Sequence, residues 1–258
     1  MYADVLFNSV DITEITDVYV NNILLHNRPS RSLNIEKLAR ADGAKFVNGE
    51  YGTKEIVVEG FIAASSRTNY ETARDTLLKN LNQQEATLRF AQAGANRDYT
   101  ATVENIIFND AGGGFATFSI KFVCSDPFGY DTSDTTALNA SSNTAATSTK
   151  SFTAIGGGYK VLPTITVEVS AISGGTGKYI KLTNPATGKY IQITRTWAVN
   201  DTLVVNCKDK TVTVEGTAVD YTGVFPEWDT AHTQIQYDDN FTTSRTVAIT
   251  FAYKKRYL

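Results

Sequence analysis

The chain has 258 residues, a formal net charge of −3 at pH 7 and no block of basic residues. Binding to the phosphate backbone of nucleic acid needs clustered Lys and Arg, so this charge argues against a protein that grips DNA or RNA. Hydrophobic residues make up 42% and charged residues 20%, which is ordinary globular usage and excludes a largely disordered chain.

The start of the chain lacks the basic segment and apolar run of a secretory signal, and no stretch approaches the ~20 apolar residues that cross a bilayer. We therefore expect synthesis in a cytoplasm and no membrane anchor. Cys124 and Cys207 are the only cysteines and lack CxxC spacing, which predicts two buried thiols without a disulfide scaffold.

Alternation of apolar and polar residues predicts strands through most of the first half of the chain. Segments 56–61, 99–104 and 116–122 are rich in Val, Ile, Thr, Tyr and Phe at every second position. The last two flank Asn109–Gly114, whose glycines supply the positive backbone angles of a tight turn. We therefore predict a hairpin at this turn.

One segment breaks the alternation and predicts a helix over residues 68–84. Tyr70, Ala73, Leu77 and Leu81 recur at spacings of three and four, which places them on one helical face. Thr68 followed by Glu71 fits a capping box at the helix start. A lone helix among strands favours a barrel with one helix or an α+β unit over a wound βαβ fold.

The tract 131–155 is dominated by Ser, Thr, Ala and Asn. Such residues bury too little apolar surface to offset the entropy of ordering, ~1–2 kcal/mol per residue. We interpret this tract as a linker or an extended crossing arm, with a loosely ordered strand as the alternative. It separates a first domain, residues 1–130, from a second domain, residues 156–258.

The second domain shows short alternating strands at regular spacing and no helical stripe. Turns such as Asn184–Gly188, with a Pro near the start and a Gly at the exit, join them. This pattern is typical of a β-sandwich or jelly roll. The predicted fold class of the whole chain is mainly β with one helix.

No catalytic or metal-binding motif is recognisable. His26 and His232 are the only histidines and no nucleophile elbow accompanies them, so a Ser-His-Asp or Cys-His site is not expected. Paired cysteines for zinc and regularly spaced oxygen ligands for calcium are missing from the sequence. We predict a non-enzymatic protein without a metal or a cofactor.

Two tryptophans are candidates for carbohydrate binding, because apolar sugar faces stack on indole rings. They are Trp197 and Trp228. Packing in the core of the second domain is the alternative for both.

The order of several segments resembles the distal tail protein family of phages with long, non-contractile tails. The first half carries ADGAKFVNGEYGTKEIVVEGFI, RDYTATVENIIF and CSDPFGYD. The second half carries LPTITVEV, NPATGKYIQI, NDTLVVNCKDKTVTVEG and YTGVFPEWDTAHTQIQY.

The resemblance implies a first domain with a split β-barrel and one α-helix that closes into a homohexameric ring. It implies a galectin-like β-sandwich as the second domain, although the galectin sugar-binding cluster is not visible on adjacent strands. The expected role is a structural virion protein at the distal tail end, joining the tail tube to the tail-tip hub or baseplate. Expected partners are further copies, the tail-tube protein, the hub protein and receptor-binding proteins. DNA would pass through the lumen without stable binding.

Two glycine-containing segments supply candidate interface residues. Segment 40–52 is predicted to be an inter-subunit loop, because Phe46 and Val47 have no evident strand partner nearby; an ordinary surface loop is the alternative. The turn after residue 109 is a second candidate, for contact with a neighbouring tail component. The candidate residues are Arg40, Asp42, Gly43, Phe46, Val47, Tyr51, Asp110 and Gly113.

Two other functions stay open at this stage. A tail-tube subunit has a related barrel and would assemble into long cylinders. A carbohydrate-binding β-sandwich module would attach to the host surface.

Overall fold

The computed structural model of the chain describes residues 4–25, 28–37, 42–91, 96–242 and 244–258, without the side chain of Ser141. The chain divides into two compact units, one extending to Thr132 and the other spanning Ser133–Tyr257. No helix in the described ranges is long and apolar enough to cross a bilayer.

Within the described residues, the first unit is a set of antiparallel strands with one α-helix. The elements are β1 (Asp4–Phe7), β2 (Val10–Asp11), a 3-10 helix (Ile12–Glu14), β3 (Val18–Leu24), β4 (Arg31–Lys37), β5 (Ala44–Tyr51), β6 (Lys54–Ala63), α1 (Arg67–Leu81), β7 (Ala86–Ala91), β8 (Arg97–Gly112), β9 (Phe115–Cys124) and β10 (Gly129–Asp131). Seven strands follow the order β2-β1-β7-β8-β9-β6-β3, β10 pairs with β8, and β4 and β5 form a separate two-stranded sheet.

Strand alternation builds the core of the first unit. In β6, the buried residues Ile56, Val58 and Ile62 alternate with residues that face away from the core. The predicted turn between β8 and β9 is confirmed, and Gly112, Gly113 and Gly114 all have positive φ angles. The predicted helical stripe is also confirmed, since α1 buries Tyr70, Ala73, Leu77 and Leu81.

The start and end of α1 differ from the expectation. The helix begins at Arg67 after the N-cap Ser66, whose Oγ accepts a hydrogen bond from the backbone N–H of Asn69 at 3.2 Å. The predicted capping box is wrong because Thr68 and Glu71 both lie inside the helix. Glu71 pairs instead with Arg67 and Arg74 on the neighbouring turns, and the helix ends at Leu81, before residue 84.

The second unit is a β-sandwich of two antiparallel sheets. The strands of the two sheets are β11 (Thr135–Asn143), β12 (Thr147–Ser151), β13 (Thr164–Ile172), β14 (Lys178–Thr183), β15 (Tyr190–Arg195), β16 (Thr202–Asn206), β17 (Thr211–Val214), β18 (Thr217–Ala218), β19 (Thr222–Gly223), β20 (Gln234–Asp239) and β21 (Arg245–Tyr253). Their orders are β11-β21-β13-β16-β17-β18 and β12-β20-β14-β15-β19. The short strand β22 (Arg256–Tyr257) follows them and belongs to neither sheet.

Most of the tract 131–155 is not a linker. It forms β11 and β12, which pair with β21 and β20 of the sandwich. Phe152 is buried, and its ring stacks on Phe251 with the ring centroids 4.8 Å apart. The linker prediction is wrong because strands elsewhere in the sequence supply both the hydrogen-bond partners and the apolar surface. Local composition does not reveal such partners.

Candidate assembly surfaces

Among the described residues, neither histidine nor the other residue types that bind metal ions form a reactive cluster. No group of three or more His, Cys, Asp and Glu side chains could hold a metal ion within the described ranges. His232 supports a turn: its Nδ1 accepts from the backbone N–H of Asp229 at 3.1 Å and lies 3.2 Å from Nδ2 of Asn184. His26 lies outside the described residues.

The two cysteines are buried free thiols, one in each unit. Burial raises the pKa of both thiols to about 12, and Lys54 opposes that rise at Cys124. Both side chains are therefore protonated and weakly nucleophilic at neutral pH.

The two tryptophans belong to the core of the sandwich. Trp228 is fully buried, and its Nε1–H donates to the carbonyl of Gln234 at 2.9 Å. Trp197 is 3% exposed, and its Nε1–H donates to the carbonyl of Lys178 at 3.0 Å. Neither indole presents an open face for a sugar, so the candidate sugar platform is wrong and the alternative, core packing, describes both residues.

The most exposed apolar element of the first unit is the pair of strands β4 and β5, here called the hairpin. Every residue of β4 is exposed, and so are most residues of β5. The expected loop over 40–52 is therefore wrong in form, because Phe46 has a strand partner in Ile35. Val47 is the extra residue at a bulge in this ladder.

The hairpin has one apolar and one polar face. Residues directly opposite each other in an antiparallel pair share a face, and alternate residues along a strand share a face. The polar face carries Ser32, Asn34, Glu36, Lys45, Asn48 and Glu50. The apolar face carries Leu33, Ile35, Phe46 and Tyr51, with Arg31 and Lys37 at its two ends.

Arg31 lies across the apolar face of the hairpin. Its guanidinium carbon is 5.8 Å from the ring centroid of Phe46 and 5.4 Å from that of Tyr51. Gly49 makes this possible, because a Cβ at that position would lie 2.9 Å from Nε of Arg31. Leu33, Ile35 and Phe46 remain 53%, 53% and 54% exposed.

The other candidate residues near the hairpin differ in their surroundings. Asp42 and Gly43 are exposed beside β5, and Gly43 has a φ of 98°. Tyr51 is half-buried and makes an edge contact with Phe128. Arg40 lies outside the described residues.

The β8–β9 turn is exposed and tied to the start of α1. Asp110 accepts hydrogen bonds from Arg67 and from the backbone N–H of Gly112, the latter at 2.8 Å. The Arg67 guanidinium holds the pKa of the Asp110 carboxyl below its usual range. Gly113 is exposed at the tip with a φ of 63°. Asp110 therefore fixes the turn, and Gly113 supplies its curvature.

A second apolar surface lies on the outward face of strands β3, β6 and β9, and was not identified from the sequence. The ring of Phe61 stacks on Tyr19 with the centroids 5.1 Å apart and on Phe115 with the centroids 5.8 Å apart. Tyr19 is 49% and Phe115 is 42% exposed. We call Tyr19, Phe61 and Phe115 the aromatic stripe. Its signal in the sequence is aromatic residues at strand positions where alternation predicts polar ones.

Comparison with protein families gives two matches. Residues 11–124 match the phage tail protein RIFT-related domain, and residues 156–257 match the C-terminal domain of the siphovirus-type tail component. The chain belongs to the distal tail protein family of siphophages. Proteins of this family are structural tail components and therefore virion-associated, as the resemblance in the sequence predicted.

Solved structures of phage tail proteins are also similar to this chain. The crystal structure of the Dit protein of phage SPP1 matches with 15% identity over 100% of both chains and a TM-score of 0.73. It is described as a paradigm of the hub adsorption apparatus in phages that infect Gram-positive bacteria. This likeness confirms the mostly β distal tail protein fold with one helix.

A more remote likeness is to the phage P2 baseplate in its activated conformation with Ca, with 11% identity over 98% of both chains and a TM-score of 0.47. That likeness is too remote to support a functional inference. Comparison with curated protein sequences gave no match.

Proposed function

We propose that this protein forms a closed homohexameric ring at the distal end of a siphophage tail. The ring joins the tail tube to the tail-tip hub or baseplate, and the sandwich units serve as docking platforms for receptor-binding proteins. The observation that carries the proposal is the exposed apolar hairpin of the first unit, in a chain of the distal tail protein family.

The hairpin supports assembly because apolar surface of this kind is rarely left to water. An isolated two-stranded sheet is only marginally stable, and here both of its strands are solvent-exposed. Contiguous exposed apolar residues on a folded protein mark an interaction surface more often than chance. A contact between copies would remove Leu33, Ile35 and Phe46 from water.

The remaining candidate residues fit the same role. Asp42, Gly43, Val47 and Tyr51 belong to the hairpin or lie beside it, and Asp110 and Gly113 form an exposed turn suited to contact with a neighbouring tail component. The acidic balance of the chain fits a conduit from which DNA phosphates are not retained. In this role the protein works through interfaces and carries out no reaction.

Negative-stain electron microscopy of the purified full-length chain tests the proposal. We expect single rings with six-fold symmetry. Long filaments would favour a tail-tube subunit, and monomers at every concentration would contradict ring formation. The variant Val224→Asp is a suitable control, since it changes an apolar residue of the second unit that is 61% exposed; it should form rings like the natural sequence.

A further inference from the structure

Lys54 is a charged side chain in the interior of the first unit. It is the first residue of β6, and only 2% of it is exposed. It lies directly opposite Cys124, the last residue of β9, which is fully buried. Among the residues that the structure describes, no carboxylate pairs with Lys54. The ionisable groups that act on it are the thiol of Cys124 and the guanidinium group of Arg97.

Tyr99 brings a second buried polar group to the same place. The ammonium nitrogen of Lys54 lies 5.2 Å from the centroid of the Tyr99 ring, and Tyr99 is 1% exposed. The hydroxyl group of Tyr99 is buried, and the described residues offer no acceptor for its hydrogen. Burying a polar group without a partner costs free energy, so each such group needs a physical explanation. Here two buried donors lie close together and both lack an acceptor.

The electrostatics of this corner favour an anion. Burial lowers the pKa of Lys54; the Cys124 thiol opposes this fall, and the Arg97 guanidinium adds to it. The positive form of Lys54 is therefore destabilised by its surroundings. A negative charge beside the ammonium group would remove that penalty, because a buried charge is tolerated when it is paired.

The space around Tyr99 limits the size of the anion. Gly129 lies against the ring, and a Cβ at that position would be 2.7 Å from Cζ and 2.8 Å from Oη of Tyr99. Lys54 is almost closed to solvent, so the side chain of another protein does not reach it. These surroundings favour a monoatomic anion over phosphate or sulfate.

We propose that the first unit binds a halide ion, chloride in ordinary media, between the ammonium group of Lys54 and the hydroxyl group of Tyr99. The ion accepts a hydrogen bond from each group and neutralises the buried positive charge. Because the site exists only in the folded first unit, chloride stabilises that unit by mass action. This site does not depend on the proposed ring.

Urea unfolding of the full-length chain, with labelling of both thiols, tests the proposal. Sodium chloride replaces sodium gluconate at constant ionic strength, since gluconate is too large for the site. Above the dissociation constant, each tenfold increase in chloride should raise the folded-to-unfolded ratio of the first unit about tenfold. Cys124 should then become reactive at higher urea concentrations. Cys207, in the second unit, should not change.

Two substitutions remove the proposed contacts. Lys54→Met replaces a buried charge with an apolar side chain of similar length, so it should remain folded and lose the chloride dependence. Tyr99→Phe removes only the hydroxyl group, so more chloride should be needed for the same shift. Lys121→Met is the matched control, because the ammonium group of Lys121 already pairs with Glu55 and Glu104. Its chloride dependence should equal that of the natural sequence.

Crystals grown with bromide give a second measurement that needs no variant, since the anomalous signal should lie beside the ammonium nitrogen of Lys54. Equal shifts of both thiols would indicate a general salt effect and contradict the site. A chloride dependence that survives Lys54→Met would contradict it as well. If sulfate shifts Cys124 as strongly as chloride, the assignment to a halide is wrong. If neither halide binds, Lys54 has no anion and the proposal fails.

Discussion

The second unit encloses its large apolar residues between two sheets, whereas the first unit leaves many of them on its surface. Within the described ranges, ten of the thirteen exposed large hydrophobic residues belong to the first unit. Both units nevertheless have a complete buried core of their own. Exposure in the first unit is therefore not a sign of poor packing. Under the proposed function, this exposed apolar surface is where partners bind.

The largest expected effect comes from the core of the second unit. Trp228→Ala removes a fully buried indole and its hydrogen bond to Gln234, and should lower the free energy of unfolding of the sandwich by about 3–5 kcal/mol. Denaturant titration with labelling of both thiols measures it. Cys207 should become reactive at a lower denaturant concentration than in the natural sequence, and Cys124 should not change.

This variant also tests whether the two units unfold independently of each other. Equal shifts in the labelling of Cys124 and Cys207 would contradict separate unfolding. Val224→Ala is the matched control, because that side chain is 61% exposed and its loss should change stability by less than about 0.5 kcal/mol.

The next largest effect lies in the first unit, where strands β3 and β6 approach closely at Gly60. A Cβ at this position would lie 2.2 Å from the carbonyl oxygen of Tyr19 and 2.4 Å from the ring of Phe118. Gly60→Ala should therefore destabilise the first unit by about 1–3 kcal/mol through overpacking. The thiol of Cys124, and not that of Cys207, should report the change.

Gly177 offers a useful contrast to Gly60, since a Cβ there would meet nothing within 4 Å. It lies in the second unit and has a φ of 64°, so Gly177→Ala should cost only about 1 kcal/mol, from backbone strain. If Gly60→Ala proves no more costly than Gly177→Ala, the close approach of β3 and β6 is wrong.

A smaller effect is expected at the start of α1. Ser66→Ala removes the acceptor for the backbone N–H of Asn69 and should cost about 1 kcal/mol. Thr68→Ala should cost less than about 0.5 kcal/mol, since Thr68 is inside the helix and is not its cap. Thermal unfolding of both variants measures the difference; a larger loss for Thr68→Ala would restore the capping box predicted from the sequence.

The smallest expected effect concerns the two thiols in the folded protein at pH 8. With both pKa values raised to about 12 by burial, neither thiol should react with a disulfide reagent until its unit unfolds. Because the folded state favours the protonated thiols, their raised pKa values contribute to the free energy of unfolding. This contribution is complete below the unfolded pKa of ~8.5. It is lost as the pH rises from there towards 12. Rapid labelling at pH 8 without denaturant would contradict the burial of these side chains.

The sequence predicted the elements whose residues face a core. Alternation identified β6, β9 and the sandwich strands, and the spacing of Tyr70, Ala73, Leu77 and Leu81 identified α1, because burial on one face imposes a period on the sequence. Strand structure in the tract of β11 and β12 was predicted only as the alternative to a linker, because the partners of these strands lie about a hundred residues away along the chain.

The candidate surfaces were predicted only in part. Phe46 and Val47 were identified as interface candidates, but their strand was not, because the bulge at Val47 interrupts the alternation of β5. Neither β4 nor β5 has a buried face. The aromatic stripe was missed because Tyr19, Phe61 and Phe115 come from three separate segments, which only the sheet brings together. Surfaces formed across strands need the register of the sheet, which a single sequence does not supply.

The central claim is that the first unit carries the surfaces through which copies of this chain assemble into a closed ring. Sedimentation equilibrium of the full-length protein over a wide concentration range tests it most directly. The account predicts one limiting species with the mass of a hexamer of 28.2 kDa chains, unchanged at higher concentration. A mass that stays at one chain, or that grows without limit, would contradict it.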